Sequence, residues 1–277
     1  MIWVSSKFCV RRTERWKTGL IMRKIICIAN QKGGVGKTTT AVNIAACLGV
    51  AEKKTLLIDC DAQGNATSGM GVDKNQIAAR NLYHVLIGQI SLGDAIVPTQ
   101  IPHLDLVPST QDLVGIEVEF IHLEEREKRL RNFLRQLEKP YEYIILDCPP
   151  SLGFMTINAL VASDSLVIPL QCEYYAMEGL GQLLNTLKLV QTRMNSILRL
   201  GGIILTMFDA RNTLSHKVSE DIRHHFGEKV FKTIVPRNVR LSESPSHGLP
   251  IILYDIRSRG AMSYMELTKE LICCGRI

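Results

Sequence analysis

The stretch from Ile25 to Val42 limits what this chain can fold into more than any other part of the sequence. It reads I-I-C-I-A-N-Q-K-G-G-V-G-K-T-T-T-A-V. Five apolar residues typical of a buried parallel strand lead into a glycine-rich turn, and helical spacing begins at Thr38. Glycines let successive backbone N–H groups point at one anion, and the N-terminus of the following helix adds positive potential. The stretch therefore predicts an α/β fold with a phosphate-binding loop after its first strand.

The loop also predicts a ligand and its contacts. In a glycine-rich loop that ends in G-K-T, the lysine, here Lys37, reaches the β- and γ-phosphates, and the hydroxyl of Thr38 binds Mg²⁺. A nucleoside triphosphate with Mg²⁺ is the expected ligand. The residues predicted to surround it are Lys32, Gly33, Gly34, Val35, Gly36, Lys37, Thr38 and Thr39.

Aspartates follow two further apolar strands. T-L-L-I-D-C-D ends at Asp59 and Asp61, and Y-I-I-L-D-C-P-P-S places Asp147 at the end of another buried strand. Carboxylates at the C-terminal ends of parallel strands lie where open α/β sheets bind their ligands. We expect Asp147 to hold Mg²⁺, usually through a water, as a Walker B carboxylate does. Asp59 has a second interpretation, as a helix cap or salt-bridge partner at the end of its strand.

Length and composition fit a single large α/β domain over residues 22–277. No linker, low-complexity tract or repeat interrupts it, and no apolar run approaches the roughly eighteen residues of a membrane span. The eight cysteines include no C-x-x-C pair, which favours buried, reduced thiols over a disulfide framework. Four of them lie in or beside predicted core strands: Cys27, Cys60, Cys148 and Cys172.

The formal charge of +6 is unevenly distributed along the chain. Residues 1–21 hold five basic residues against one acidic residue, so only about +2 remains for everything after them. Global charge is therefore weak evidence for nucleic-acid binding, and any basic face has to be local. The extension at 1–21 lacks the long apolar core of a signal peptide. We expect it to be a disordered extension or a segment before the true start at Met22, with a basic arm as the alternative.

Secondary structure is predicted for three other segments. L-D-L-V-P-S-T predicts a strand near the sheet edge. The stretch from Asp112 to Leu137 is predicted as one long helical segment whose mixed charges form a solvated face. K-V-F-K-T-I-V, from Lys229 to Val235, is predicted as the last strand.

Four segments together resemble the ParA/Soj group of partitioning ATPases: K-G-G-V-G-K-T-T, D-C-D-A-Q-G-N-A-T, I-I-L-D-C-P-P-S and P-R-N-V-R-L-S-E-S-P-S. Gln31 stands where the standard phosphate loop has glycine, and Lys32 opens the deviant Walker A loop of the ParA/MinD group. Ala62 replaces a proline usual in the second segment. The resemblance runs from Met22 to about Lys269. It implies the fold of a P-loop NTPase, a doubly wound, mostly parallel sheet with helices on both faces.

The resemblance also implies roles for individual residues. Lys32 would cross to the ATP of the partner subunit in a sandwiched homodimer, Asp61 would position the attacking water, and Asp59 would lie near the Mg²⁺ shell. An asparagine amide can both donate to and accept from a purine edge. The remaining implied contacts are Pro236, Arg237 and Asn238 around the adenine, and Arg211 and Arg240 on a DNA-facing surface.

These implied roles describe a partition switch. Mg-ATP joins two protomers and raises their affinity for non-specific double-stranded DNA, and slow hydrolysis, stimulated by a ParB/Spo0J-type centromere-binding protein, releases it. The expected location is the cytoplasm, on the nucleoid in the ATP state, with no stable membrane association and with either a chromosome or a plasmid as cargo. The alternatives are a MinD-like membrane-cycling ATPase, a DNA-binding regulator that does not hydrolyse ATP, and an iron–sulfur reductase of the same superfamily.

Overall fold

The computed structural model describes residues 23–73 and 77–273, so the basic extension at 1–21 lies outside the described residues. The strands are β1 (Lys24–Ile28), β2 (Thr55–Asp59), β3 (Val97–Pro98), β4 (Leu104–Val107), β5 (Tyr143–Asp147), β6 (Ser165–Gln171) and β7 (Arg199–Thr206). The helices are α1 (Lys37–Val50), α2 (Asn65–Gly69), α3 (Leu82–Leu86), α4 (Leu92–Ala95), α5 (Ile116–Glu119), α6 (Arg129–Arg135), α7 (Phe154–Ala162), α8 (Ala176–Arg193), α9 (Thr213–Phe226), α10 (Val239–Glu243), α11 (Ile251–Tyr254) and α12 (Arg259–Cys273).

One seven-stranded sheet, in the order β3-β4-β2-β5-β1-β6-β7, confirms the predicted doubly wound fold. All neighbours pair in parallel except β3, which runs antiparallel to β4. The predicted strand L-D-L-V therefore lies next to the edge, as expected. β1 lies between β5 and β6, which brings Ile28 opposite both Asp147 and Val167. The loop after β1 is thus flanked by the loops that follow β5 and β6.

Side chains alternate between two cores, one on each face of the sheet, as strand geometry requires. Cys27 and Leu56 point into the core that α6, α7 and α8 cover. Ile26 and Leu57 point into the other core, which α1 and α12 cover. Because both faces are covered, the central strands read in the sequence as continuous apolar runs rather than as an alternating pattern.

Helix α12 fixes the helix that follows the phosphate loop. Tyr264 of α12 is almost fully enclosed, and its hydroxyl hydrogen-bonds the hydroxyl of Thr40 in α1 at 3.1 Å. Asn43, one turn later in α1, accepts a hydrogen bond from the backbone N–H of Ile251 at 2.8 Å. Burying one large apolar side chain contributes about 1.5–3 kcal/mol. These contacts therefore hold α1 and its N-terminus firmly against the sheet.

The prediction of one long helix from Asp112 to Leu137 is wrong. Two 3-10 turns and the short helices α5 and α6 replace it, and Glu125 has a left-handed backbone (φ 52°) that interrupts helical geometry. Tertiary contacts outweigh helix propensity there. Phe120 packs edge-to-face on Phe154 with ring centroids 5.8 Å apart. The Arg129 guanidinium donates to the Leu86 carbonyl at 2.6 and 2.9 Å, which turns the chain back towards α3.

The prediction of a last strand from Lys229 to Val235 is also wrong. The segment has one isolated bridge, at Val230 opposite Ile203, and a second follows its end, at Pro236 opposite Phe208, without a continuous ladder between them. Part of the reason is that the backbone N–H groups of Lys232 and Thr233 donate to the Glu270 carboxylate, at 2.8 and 3.0 Å. A side chain of α12 thus takes donors that a strand would use.

Two expectations about cysteines and membranes can be compared with the structure. Cys27, Cys60, Cys148 and Cys172 are buried and free, as predicted. Cys27 and Cys148 lie with their sulfurs 3.4 Å apart, and burial raises the pKa of the Cys27 thiol well above its ordinary range. None of the helices within the described residues combines the length and apolar character that a membrane crossing requires.

Candidate nucleotide-binding site

The loop between β1 and α1 has the backbone geometry that the glycines predict. Gly34 and Gly36 have φ values of 72° and 85°, in the left-handed region that disfavours other residues. Gly36 caps α1, and the Thr206 hydroxyl of β7 donates to the Val35 carbonyl at 2.8 Å. The loop is therefore fixed at one end by a helix and in its middle by a neighbouring strand. Lys37 and Thr38 begin α1 and face the space above the sheet edge.

Lys37 is buried and points back towards its own loop. Its ammonium donates to the Lys32 carbonyl at 2.9 Å. Burial lowers the pKa of Lys37, while the charges of Asp147 and Asp61 oppose that shift. A cation held among carboxylates, with a carbonyl oxygen as its hydrogen-bond acceptor, can take an anionic phosphate oxygen in place of that carbonyl.

Asp59 and Asp147 lie directly opposite each other on β2 and β5, and both are fully buried. The Asp59 carboxylate accepts hydrogen bonds from the loop and helix that follow β2. It accepts from the backbone N–H and hydroxyl of Thr67, at 2.8 and 2.7 Å, and from the backbone N–H of Asp61 at 3.2 Å. Burial nevertheless raises the pKa of Asp59 from 3.8 to about 6, against the effect of these bonds. The strand-end cap considered for Asp59 is therefore present.

Asp147 differs from Asp59 because neither of its carboxylate oxygens has a hydrogen-bond partner among the described residues. Burial and then the charge of Asp59 raise its pKa well above the ordinary range. The Thr38 hydroxyl lies near enough to lower this pKa, but it makes no hydrogen bond of good geometry with either oxygen. Burying a polar group without a partner costs stability, and a carboxylate so placed suits a cation.

These residues also fit the way in which Mg²⁺ is usually bound. The described residues contain no group of three or more histidine, cysteine or acidic side chains that could hold a metal alone. Mg²⁺ characteristically uses one or two carboxylates together with substrate phosphates and waters. A lone available carboxylate at Asp147, next to a threonine hydroxyl at the phosphate loop, matches that pattern.

A cavity of about 560 Å³ lies over the phosphate loop. Asp61 lines it, is 8% exposed, and accepts the backbone N–H of Gln63 at 3.0 Å. Five predicted loop residues line the same space: Gly34, Gly36, Lys37, Thr38 and Thr39. The structure thus brings the phosphate loop and Asp61 to one cavity, whereas Asp59 and Asp147 are fully buried at the ends of β2 and β5 and do not line it.

The opposite wall of the cavity was missed by the sequence analysis. It consists of Met207 after β7 together with Ser244, Pro245, Ser246, Leu249 and Pro250. The sequence signal was present in the S-E-S-P-S of the fourth family segment, but it was used only to support the residues that precede it. Close backbone packing fixes this wall, because Gly71 and Gly248 approach so closely that a Cβ at Gly71 would lie 2.8 Å from the Gly248 carbonyl oxygen.

Several predicted residues lie outside that cavity. Lys32 and Gly33 are exposed at the loop tip, and Lys32 forms an ion pair with Glu173. The segment from Pro236 to Asn238 runs beside the end of β7, where the Arg237 backbone N–H donates to the Phe208 carbonyl at 3.0 Å. The side-chain oxygen of Asn238 is buried without a hydrogen-bond partner in the described parts of the chain.

The two arginines expected to face DNA are both exposed and both paired with acidic residues of their own chain. Arg211 contacts Asp209 at 3.1 Å. Arg240 contacts Glu243 at 2.9 Å and Asp255 at 3.6 Å. Exposed pairs of this kind contribute about 0–1 kcal/mol, so either guanidinium can exchange its partner for a phosphate at little cost.

Comparisons with known proteins show what this chain is similar to. The family model described as an AAA domain matches residues 23–200. The chain is 54% identical over 254 residues to the sporulation initiation inhibitor protein Soj of Bacillus subtilis, which covers 92% of this chain and 100% of that protein. It is also 54% identical over 262 residues to the chromosome partitioning protein ParA of Myxococcus xanthus, over 94% of this chain and 91% of that protein. Cobyrinic acid a,c-diamide synthase from Mycobacterium smegmatis, solved with bound ADP and magnesium, has a TM-score of 0.80 and 34% identity over 91% of this chain and 94% of that one.

Proposed function

Because the chain belongs to the ParA/Soj family of chromosome-partitioning ATPases, we propose that it is an ATP-dependent switch for DNA partition. ATP with Mg²⁺ binds the phosphate loop, joins two protomers and promotes DNA binding, and hydrolysis reverses these steps. The observation that carries the proposal is Asp147, a buried carboxylate beside Lys37 that lacks a hydrogen-bond partner among the described residues. A nucleotide-bound cation supplies what that carboxylate lacks.

The proposed magnesium contacts are the Thr38 hydroxyl and the Asp147 carboxylate. Mg²⁺, when bound, would neutralise phosphate charge and orient the γ-phosphate. Asp59 has a supporting role. Its carboxylate oxygens already accept hydrogen bonds from Thr67 and from the Asp61 backbone, and these bonds hold the loop that carries Asp61. The ammonium of Lys37 exchanges the Lys32 carbonyl for phosphate oxygens. The solved relative with bound ADP and magnesium supports this choice of ligands.

We assign Asp61 to orient the attacking water. The water oxygen forms a bond to the γ-phosphorus while the bond from that phosphorus to the β–γ bridging oxygen breaks. The proton of the water passes to the phosphate, and ADP and inorganic phosphate leave. The Gln63 backbone N–H holds one carboxylate oxygen of Asp61 at the cavity wall. A carboxylate fixed in this position can accept a hydrogen bond from the water and direct it at the phosphate.

Adenine recognition is assigned to Pro236, Arg237 and Asn238. The support is the buried side-chain oxygen of Asn238, which lacks a partner among the described residues and can accept a hydrogen bond from an exocyclic amine. Met207, in the cavity wall, is the neighbour of Phe208, which bonds to this segment. The nucleoside therefore extends from the phosphate loop past Met207.

DNA binding is assigned to Arg211 and Arg240, which act through phosphates and without sequence preference. The ATP-dependent homodimer doubles the number of these contacts, so DNA affinity follows the nucleotide state. A ParB/Spo0J-type protein is the proposed stimulator of hydrolysis, because the chain shares 54% identity with a ParA chromosome partitioning protein. The protein would then cycle between nucleoid and cytoplasm. Membrane cycling gains no support from α12, whose Tyr264, Leu267 and Leu271 are buried in the core shared with α1.

The proposed function can be tested by fluorescence anisotropy of a random-sequence duplex with Mg-ATP, with Mg-ADP and without nucleotide, across a salt series. Binding should require ATP and weaken steeply with salt. Replacing Arg211 and Arg240 with Gln should lower the slope of log affinity against log salt by about 0.9 for each phosphate that is no longer neutralised. Arg135→Gln, on the exposed end of α6, is the matched control. Equal binding in all three nucleotide states would contradict the proposal.

A further inference from the structure

Lys32 and Glu173 form an ion pair across the entrance of the phosphate loop. The two side chains are 43% and 46% exposed. Lys32 follows β1, and Glu173 follows β6, the neighbouring strand. The pair therefore connects two loops at the same edge of the sheet, although 141 residues separate them in the sequence.

Hydrogen bonds fix the backbone on both sides of this pair. The Lys32 backbone N–H donates to the Asn30 side-chain oxygen at 3.0 Å, and the Asn30 amide donates to the Pro169 carbonyl of β6 at 2.7 Å. The Glu173 backbone N–H donates to the Gln171 carbonyl at 2.9 Å. These bonds hold the two loops at a separation that the Lys32 and Glu173 side chains can span, although the pair still pays the side-chain entropy of any exposed ion pair.

We infer that Glu173 is a positioning residue that holds Lys32 on its own protomer until a second nucleotide-loaded protomer is present. The inference rests on the proposed function, in which Lys32 contacts the nucleotide of the partner subunit. One ammonium carries one positive charge, and Glu173 neutralises it in the pair. To neutralise phosphate on the partner's nucleotide, the Lys32 ammonium has to leave Glu173.

The pair therefore sets a threshold for dimerisation. By symmetry each dimer breaks two such pairs. An exposed pair changes an equilibrium by about 1.4- to 5-fold, so two pairs weaken the dimer by about 2- to 30-fold. The nucleotide-bound monomer is affected little, because Lys37 binds phosphate through a different contact. Glu173 thus limits dimerisation without limiting nucleotide binding.

The test compares wild type, Glu173→Gln and the control Glu178→Gln, which changes an exposed acid in the first turn of α8. Sedimentation velocity with Mg-ATP measures the dimer dissociation constant, and a fluorescent ATP analogue measures nucleotide affinity at protein concentrations below dimerisation. We expect Glu173→Gln to tighten the dimer by about 2- to 30-fold at low salt and to leave nucleotide affinity unchanged. The difference should shrink at high salt, because salt screens the pair. Unchanged or weaker dimers would overturn the inference.

A second measurement tests for the ion pair in the protein without nucleotide, where no dimer is expected. Without nucleotide, an amine-acetylating reagent followed by mass spectrometry gives the labelling rate of Lys32. Lys53, which pairs with Glu142 at 3.1 Å and is 37% exposed, is the internal reference. Lys32 labelling should rise about 2- to 5-fold in Glu173→Gln, with Lys53 unchanged. Equal Lys32 labelling rates in wild type and Glu173→Gln would refute the ion pair itself. If wild type never dimerises with ATP in sedimentation velocity, the proposed function is refuted, and the dimerisation threshold is refuted too.

Discussion

Asp147→Asn should stabilise the protein without nucleotide and abolish its stabilisation by Mg-ATP. The carboxylate is fully buried, lacks a hydrogen-bond partner among the described residues, and faces the Asp59 carboxylate on the neighbouring strand. Asparagine keeps the shape and removes the charge. An asparagine would still lack partners, so it keeps the cost of an unsatisfied polar group, about 1–3 kcal/mol, and removes only the additional cost of the buried charge beside Asp59, which we expect to be on the order of 1–3 kcal/mol.

For a domain of this size each kcal/mol shifts the melting temperature by about 2–4 °C, which gives a rise of about 2–12 °C. Wild type should instead gain about 4.1 kcal/mol from Mg-ATP at a concentration 1,000-fold above its dissociation constant. The variant should gain little, because the cation loses its carboxylate. Urea unfolding with and without Mg-ATP measures both effects, so the two proteins should exchange their order of stability when the ligand is added.

Asp59→Asn is the matched control for that experiment. Asp59 is equally buried, but it accepts three hydrogen bonds from Thr67 and Asp61. An asparagine amide would turn a donor towards one of these donors, so we expect a loss of about 1–3 kcal/mol. A loss of stability in Asp147→Asn without nucleotide would refute the reasoning, because it would mean that the chain already satisfies this carboxylate.

Further predictions concern turnover, pH and packing. Asp61→Ala should keep ATP-dependent dimers and slow phosphate release by about 100-fold or more; equal turnover would rule out its role in orienting water. Because the native pKa of Asp59 is raised from 3.8 to about 6, the folded protein binds more protons than the unfolded chain between these values, and stability falls as pH rises through that window. Relative to Asp59→Asn, wild type should lose about 2 kcal/mol from pH 4 to pH 7 in urea titrations. Gly71→Ala should destabilise the protein by more than about 1 kcal/mol, since its Cβ would lie 2.8 Å from the Gly248 oxygen and its φ is positive. Gly179→Ala should stabilise the protein by up to about 1 kcal/mol, because Gly179 lies within α8 and a Cβ there would contact no atom outside that helix. Thermal unfolding that ranks these two variants in the opposite order would contradict the packing argument.

The features predictable from the sequence are those that a local pattern determines. The stretch from Ile25 to Val42 forms its strand, glycine loop and helix because each part needs only its own residues and a covered sheet. Asp61 and Asp147 could be placed at the same end of the sheet, because parallel strands all have their C-termini at that end. The segment from Lys229 to Val235 was mispredicted in part because two of its backbone donors, at Lys232 and Thr233, bond to Glu270, a side chain far along the chain.

The same limit explains why the sequence could not complete the site. Gly71 and Gly248 form one contact only after the chain has folded, so the wall from Ser244 to Pro250 has no local signal that it faces the phosphate loop. The pairing of Lys32 with Glu173 is equally invisible, since two exposed side chains of opposite charge occur throughout the sequence. Only the adjacency of β1 and β6 selects this pair from the others.

Asp59 and Asp147 show how the fold makes two similar residues different. Both end a buried apolar strand, and they lie opposite each other. The turn after β2 returns through α2 and brings the Thr67 hydroxyl and backbone N–H to Asp59. The turn after β5 runs through two prolines, Pro149 and Pro150, which have no backbone N–H to donate. Asp147 is therefore left without the donors that Asp59 has, and this difference makes its carboxylate the one available to a cation.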